Sequence, residues 1–342
     1  MALELRRDEP IPDGVRRLAH ELLQPAIAEL DTIPAERRSR IRHRPRPLKA
    51  SDRAHFQQAV HQTRKRMKRM RALLRLFRDD LGEDAYRFEN DSYRDTARIL
   101  ADVRDAQVMI NTLDHVGELL GAEVAPALLA DVRRSLVGNL GAASRTMTSR
   151  GAVDDAVARL RRADARVDAW PLHTDSSKAF AGGLGRVYKR GRKDLELALQ
   201  ERTVDSWHEW RKRVKYLWHQ LEVLAPAWPD MFEVMYEEAE EVADLLGDDH
   251  DLAVLAERVT SRPDRFGDGP DVQHLLQVVE TRRLALEDEA VERGRRLFVE
   301  PADDFTDRIA AYWDTWRWSP ASGGAHEAGP GTSGPSVALQ PT

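Results

Sequence analysis

The chain has 342 residues, 42% hydrophobic and 32% charged, enough for a large core under a heavily charged surface. It has no cysteine, which excludes disulfides, thiolate metal sites and a cysteine nucleophile. Its net charge of −5, from 53 Lys and Arg against 58 Asp and Glu, gives no bulk reason to bind nucleic acid.

Apolar residues recur every three or four positions nearly throughout, so the expected fold is all-α. An amphipathic helix is predicted from Asp13 to Asp31, with Pro25 able to kink it. A Pro- and Arg-rich connector follows, carrying seven Lys or Arg between Arg37 and Lys49 and no acid. Ser51 or Asp52 caps a long helix reaching about Asp80, and helices over 83–118, 122–150 and 152–167 complete a first half, 13–168. A linker near Trp170 leads to a second half, 176–318. There, helices are predicted over 176–201, 204–225, 229–246, 248–261, 271–299 and 303–318. From Ser319 to Thr342 the Gly-, Pro- and Ser-rich tail has too little apolar surface to fold and is expected to be disordered. The N-terminal stretch MALELRRDEPIPDG lacks the apolar run of a signal peptide, and no segment is long and apolar enough to span a bilayer. A cytoplasmic protein without membrane contact is therefore expected.

Charge is segregated along the chain. From Arg53 to Arg78 there are nine Lys or Arg and no acid, whereas every charged side chain from Glu233 to Asp251 is acidic. The basic stretch also has a counterpart. HQTRKRMKRMRALLRLFR from His61, followed by ILADVRDAQVM, matches HEWRKRVKYLWHQLEVL from His208, followed by LLGDDHDLAVL. His61 aligns with His208, Arg64 with Arg211, Lys65 with Lys212, Lys68 with Lys215 and Asp105 with Asp251. An ordered set at a nearly constant offset reads as an internal duplication.

On a helical wheel, His61, Arg64, Lys65, Lys68, Arg71 and Arg75 share an arc of roughly 120°, with Met67, Met70, Leu74 and Phe77 opposite. His208, Arg211, Lys212 and Lys215 form the same face in the second copy. Like charges at i,i+4 destabilise a helix by a few tenths of a kcal/mol each, so negative charge must come from elsewhere. One stripe alone reads as a solvated face, or as a partner for the acids of 233–251. Two stripes of one spacing point instead to a shared concavity that focuses an anion.

These residues resemble the CHAD family of histidine-containing α-helical domains, over about Gly14 to Trp318. The resemblance rests on HQTRKRMKRMR with DVRDAQVM and on WHEWRKRVKYLWHQLEVL with LLGDDHDLAVL. It implies two antiparallel helical bundles related by a pseudo-two-fold axis, around a basic cavity that binds inorganic polyphosphate. The ligand-facing residues it implies are His61, Arg64, Lys65, Lys68, Arg71, His208, Arg211, Lys212 and Lys215, to which the helical wheel adds Arg75. The resemblance adds Tyr188, Arg190, Arg192 and Lys193 from VYKRGRKDL, and Arg16 and Arg17 in the first half. Trp218 stands where the first copy has Arg71. Association with polyphosphate granules is a further implication.

Asp105 and Asp251 would repel such a ligand from the cavity wall, so they are expected to stand behind the cations and fix their rotamers. No cofactor or metal is called for, and no catalytic arrangement stands out. Two rivals remain: general polyanion or RNA binding by the same stripes, and a metal-dependent phosphohydrolase built on His250-Asp251. The second lacks a counterpart in the first copy, where Arg104-Asp105 stands. The several Trp residues are expected mostly in the core.

Overall fold

The computed structural model describes residues 3–34, 50–120 and 124–318. Among them all regular structure is helical. The basic connector and the tail expected to be disordered lie outside the described residues.

Helix α1 (Ile11–Asp31) has Pro12 in its first turn, where a missing N–H breaks no helical hydrogen bond. It buries Ile11, Val15, Leu18, Leu22 and Ala26 on one side and runs on through Pro25. The basic helix α2 (Ala50–Leu76) ends at Phe77, and one-turn α3 (Arg78–Leu81) stops at Gly82, whose φ of 75° suits glycine. The single helix expected over 83–118 is two, α4 (Glu83–Ile99) and α5 (Ala101–Leu120). They part at Leu100, which leaves helical geometry and drops its side chain into the core. The first half closes with α6 (Pro126–Ser149) and α7 (Ala152–Val167).

The second half runs α8 (Lys178–Glu201), α9 (Val204–Leu224), a 3-10 turn (Ala225–Ala227) and α10 (Pro229–Thr260). One-turn α11 (Pro263–Phe266), α12 (Pro270–Leu297) and α13 (Ala302–Trp318) follow. Here the expected boundary at Gly247 does not exist: α10 is one helix of 32 residues with Gly247 buried inside it. Gly247 serves packing, as described below.

Some helix pairings recur along the chain. Helix α1 packs on α2 and α7, as α8 packs on α9 and α13; α2 packs on α4 and α5, as α9 packs on α10. Between the halves, α2 crosses α9 and α8, and α5 lies against α10. One continuous apolar core joins all of this, with Trp207, Trp210 and Trp313 wholly inside, while Trp228 and Trp318 are exposed. The segment expected as a linker is tied down: the Asp80 carboxylate accepts hydrogen bonds from the backbone N–H of His173 and Thr174, both at 3.1 Å.

The helix crossings demand small residues. A Cβ on Gly183 would lie 2.0 Å from the carbonyl oxygen of Leu76, so α8 meets the end of α2 backbone to backbone. Gly183→Ala is expected to lower the melting temperature, at a cost of about 1–3 kcal/mol, because backbone cannot step aside. Gly138→Ala, at an exposed helical site with open space around it, is expected to raise stability by about 0.5–1 kcal/mol. Thermal denaturation of the two variants checks both signs.

Candidate functional site

Helices α2 and α9 turn matching stripes into one cavity of about 840 Å³. From α2 come His61, Arg64, Lys65 and Lys68, at helical spacings of three and four, while Thr63, Met67 and Met70 on its other side are buried. From α9 come His208, Arg211 and Lys215, backed by Trp207, Trp210, Val214 and Leu217 in the core. A reciprocal cap fixes where α9 starts: Thr203 Oγ1 accepts from the Ser206 N–H at 3.1 Å, and Ser206 Oγ accepts from the Thr203 N–H at 3.1 Å. The phase of the His208 stripe follows from that start.

Helices α5, α6 and α10, with the far end of α9, complete the wall. Arg104, Arg258, His250 and His219 add positive or titratable groups, and Asp102, Asp105, Glu240, Asp244 and Asp251 add carboxylates. Seven Lys or Arg thus face five Asp or Glu, so the cavity is mixed with a cationic excess. Asp105 and Asp251, expected behind the cations, both line the cavity from α5 and α10, although Asp105 keeps the expected hold on an arginine. Asp105 pairs with Arg64 at 3.2 Å. Among the described residues, none of the other six lining cations has a carboxylate within 4 Å. The carboxylates dilute the positive field without pairing it off.

Arg211 shows how the scaffold places a cation. Its Nε donates to the Ala243 carbonyl at 3.2 Å, and its guanidinium lies where a Cβ on residue 247 would come within 2.6 Å of Nη2. Gly247 is the berth for that guanidinium. Several cavity residues also carry a buried nitrogen without a hydrogen-bond partner, among them Arg64 Nη1 and the Nδ1 atoms of His208, His219 and His250. Such groups are costly to bury unless something binds them.

Mutual repulsion and enclosure shift the titration of these groups. Burial first, then Arg211 and Lys215, pull Lys68 down to about 7. Burial and then Arg211 pull Lys215 down to about 8. Lys68 is wetted by the cavity, yet protein surrounds it and removes much of its bulk solvation. His61 and His250 are each pulled down to about 4, by burial and then by neighbouring Arg104 and His208 respectively, and His208 is lowered by burial and then by Lys212. The imidazoles of the empty cavity are neutral at pH 7.

The family model for the CHAD domain matches residues 34–260. The chain belongs to the CHAD family. Among solved structures it is similar to PptA from Streptomyces chartreusis, at TM-score 0.56 and 12% identity, over 85% of this chain and all of that one. It is also similar to the CHAD domain from the plant Ricinus communis, at TM-score 0.51 and 17% identity, over 92% of this chain and 94% of that one. No curated protein matches it in sequence.

Not every residue implied by the CHAD resemblance or the helical wheel reaches the cavity. Arg71 donates to Asn90 Oδ1 at 3.1 Å, and Arg75 donates to the Arg71 carbonyl while lying 4.1 Å over the Tyr216 ring. Both sit at the end of the stripe, where Gln220 of α9 reaches the Ala72 carbonyl and the helices touch. Lys212 is held by Glu209 on its own helix. Tyr188 is core: its hydroxyl donates to the Leu297 carbonyl and its ring stacks on Phe305. Arg192 binds the Glu300 carbonyl, and Arg190 and Lys193 are exposed outside the cavity, because α8 packs behind α9. Arg16 donates to the Trp170 carbonyl, and Arg17 is paired with Glu9 and Glu21, because α1 packs behind α2.

Other wall residues escaped the sequence reading, and some had a visible signal. His219 lies four residues past Lys215 on the same helical stripe, and His250 occupies the position of Arg104 in the aligned repeat. Trp218, in place of Arg71, lines the cavity with His219 stacked on it at 4.5 Å. The acidic run around His250 is divided: Asp249 turns away to Arg283 at 2.9 Å, while the His250 ring lies 4.4 Å from that of His208, tilted by 36°. Among the described residues, no three His, Asp or Glu are grouped as a metal would require.

A lysine pulled below its unfolded-chain value destabilises the fold while charged; that penalty is full below about pH 7 and fades as pH rises toward 10.5. Lys68→Met is therefore expected to raise the melting temperature more at about pH 6 than at about pH 10. A gain independent of pH, seen by calorimetry, would contradict the crowded-cation description.

Proposed function

We propose that this CHAD protein binds linear inorganic polyphosphate, without catalysing its breakdown, in the cavity between α2 and α9. The observation that carries the reading is the convergence of two like-spaced cationic stripes on one concave space, with a single close ion pair among the described residues. Polyphosphate bears charge on every phosphate and has no sequence to read. Arg64, Arg104 and Arg211 can each engage two oxygens in a planar fork, while Lys65, Lys68 and Lys215 act as adjustable point charges. Bound anion relieves their repulsion. Association with polyphosphate granules would follow from the same binding.

Single-stranded RNA suits the site less well. Sequence-tolerant RNA binding uses aromatic platforms for the bases, and here the Trp218 ring is stacked against His219. In competition at equal phosphate concentration, polyphosphate is expected to outcompete RNA. Equal displacement would favour the general polyanion reading.

Replacing Arg64, Lys68, Arg211 and Lys215 together by Gln is expected to weaken polyphosphate binding by at least about 100-fold, about 2.7 kcal/mol, since each such contact contributes charge-assisted bonds. The same change at Arg190 and Lys193 is expected to leave it nearly unchanged. Wild-type affinity should fall steeply with salt, with a log–log slope of several.

The pH dependence has a definite sign. Bound anion favours protonated Lys68 and Lys215, which in the empty cavity titrate near 7 and 8. Binding should therefore take up protons, and affinity should fall as pH rises through that range. Calorimetry in buffers of differing ionisation enthalpy checks this; proton release on binding would count against the reading.

A further inference from the structure

A second chamber of about 350 Å³ adjoins the main cavity, and the two share Arg104, Val108 and Asp251 in their walls. Its walls are the outer part of α5, which contributes Asn111 and His115, together with Asp248 of α10 and Arg282 of α12. Arg104, Asn111 and His115 lie on one side of α5 at spacings of seven and four, a track of roughly 16 Å at about 1.5 Å per residue.

Arg282 and its neighbour Arg283 are used differently. Arg283 is half-buried and spends its guanidinium on Asp249, Glu280 and Glu287. Arg282 is exposed, and among the described residues no carboxylate lies within 4 Å of it or of Arg104. On its far side Arg282 borders an apolar groove with Val116, Leu252 and Val279, which offers an anion nothing. Two carboxylates, Asp248 and Asp251, also line the chamber, and burial raises both from the usual carboxylate value.

We propose that Arg282, with His115, forms an outer phosphate subsite, which a linear polyphosphate reaches by passing over Arg104 from the main cavity. The inference rests on the proposed function and deepens it: the preferred ligand is a chain long enough to occupy both chambers. A compact or short phosphate occupies the main cavity alone.

The test compares tripolyphosphate with long-chain polyphosphate on the wild type and on Arg282→Glu. The substitution is at an exposed position, so the fold should persist. The wild type is expected to bind the long chain more tightly per molecule, and Arg282→Glu should lose about tenfold for the long chain alone. Arg282→Gln should lower the long-chain salt slope by roughly one. Long-chain binding that survives Arg282→Glu unchanged, or an equal loss for both lengths, would overturn the outer subsite while leaving the main cavity reading in place. A wild type that binds neither anion would overturn both.

Discussion

The arrangement on which the rest of the molecule depends is the confinement of like charges. Lys65, Lys68, Arg64, Arg104, Arg211 and Lys215 face one enclosed volume, and Asp105 is the sole close carboxylate partner among the described residues. Two helices bearing such faces repel each other, so apolar and backbone contacts on their other sides must hold them together. Met67 and Met70 behind the α2 stripe, and Trp207, Trp210 and Val214 behind the α9 stripe, do so. Outer helices α1 and α8 then cover those backs.

The carboxylates of α5 and α10 give the cavity its working balance. Without them the repulsion would be larger still; with close pairing at every cation there would be no attraction left for a ligand. Asp244 and Asp251 face Arg211 without an ion pair, and Arg211 is steered by the Ala243 carbonyl and the space over Gly247. Positioning by backbone fixes a guanidinium without cancelling its charge, which is what a binding wall for anions requires.

Much of the helical architecture was legible because periodicity of 3.6 is a local property. The two motifs, read at equal spacing, identified His61, Arg64, Lys65, Lys68, His208, Arg211 and Lys215, all of which line the cavity. What the wheel cannot contain is where a partner helix crosses. Arg71 and Arg75 share the stripe of Lys68 but sit where α9 meets α2 at Ala72, and so turn to Asn90 and Tyr216. Gly247 looked like a helix boundary because glycine commonly marks one; its use as a berth depends on Arg211, thirty-six positions away in sequence. Arg104, Glu240 and Asp244 enter the wall only through the packing of α5 against α10, a contact that local patterns do not encode.

The most direct measurement is the titration of Lys68 by NMR of its labelled side chain, first in the empty protein and then with saturating polyphosphate. The crowded cavity requires a midpoint near 7 without ligand and a rise toward the ordinary lysine value of about 10.4 when phosphates surround the ammonium. An ordinary midpoint in the empty protein, or one that stays put on addition of polyphosphate, would contradict the idea that a net cationic interior is what draws the ligand in.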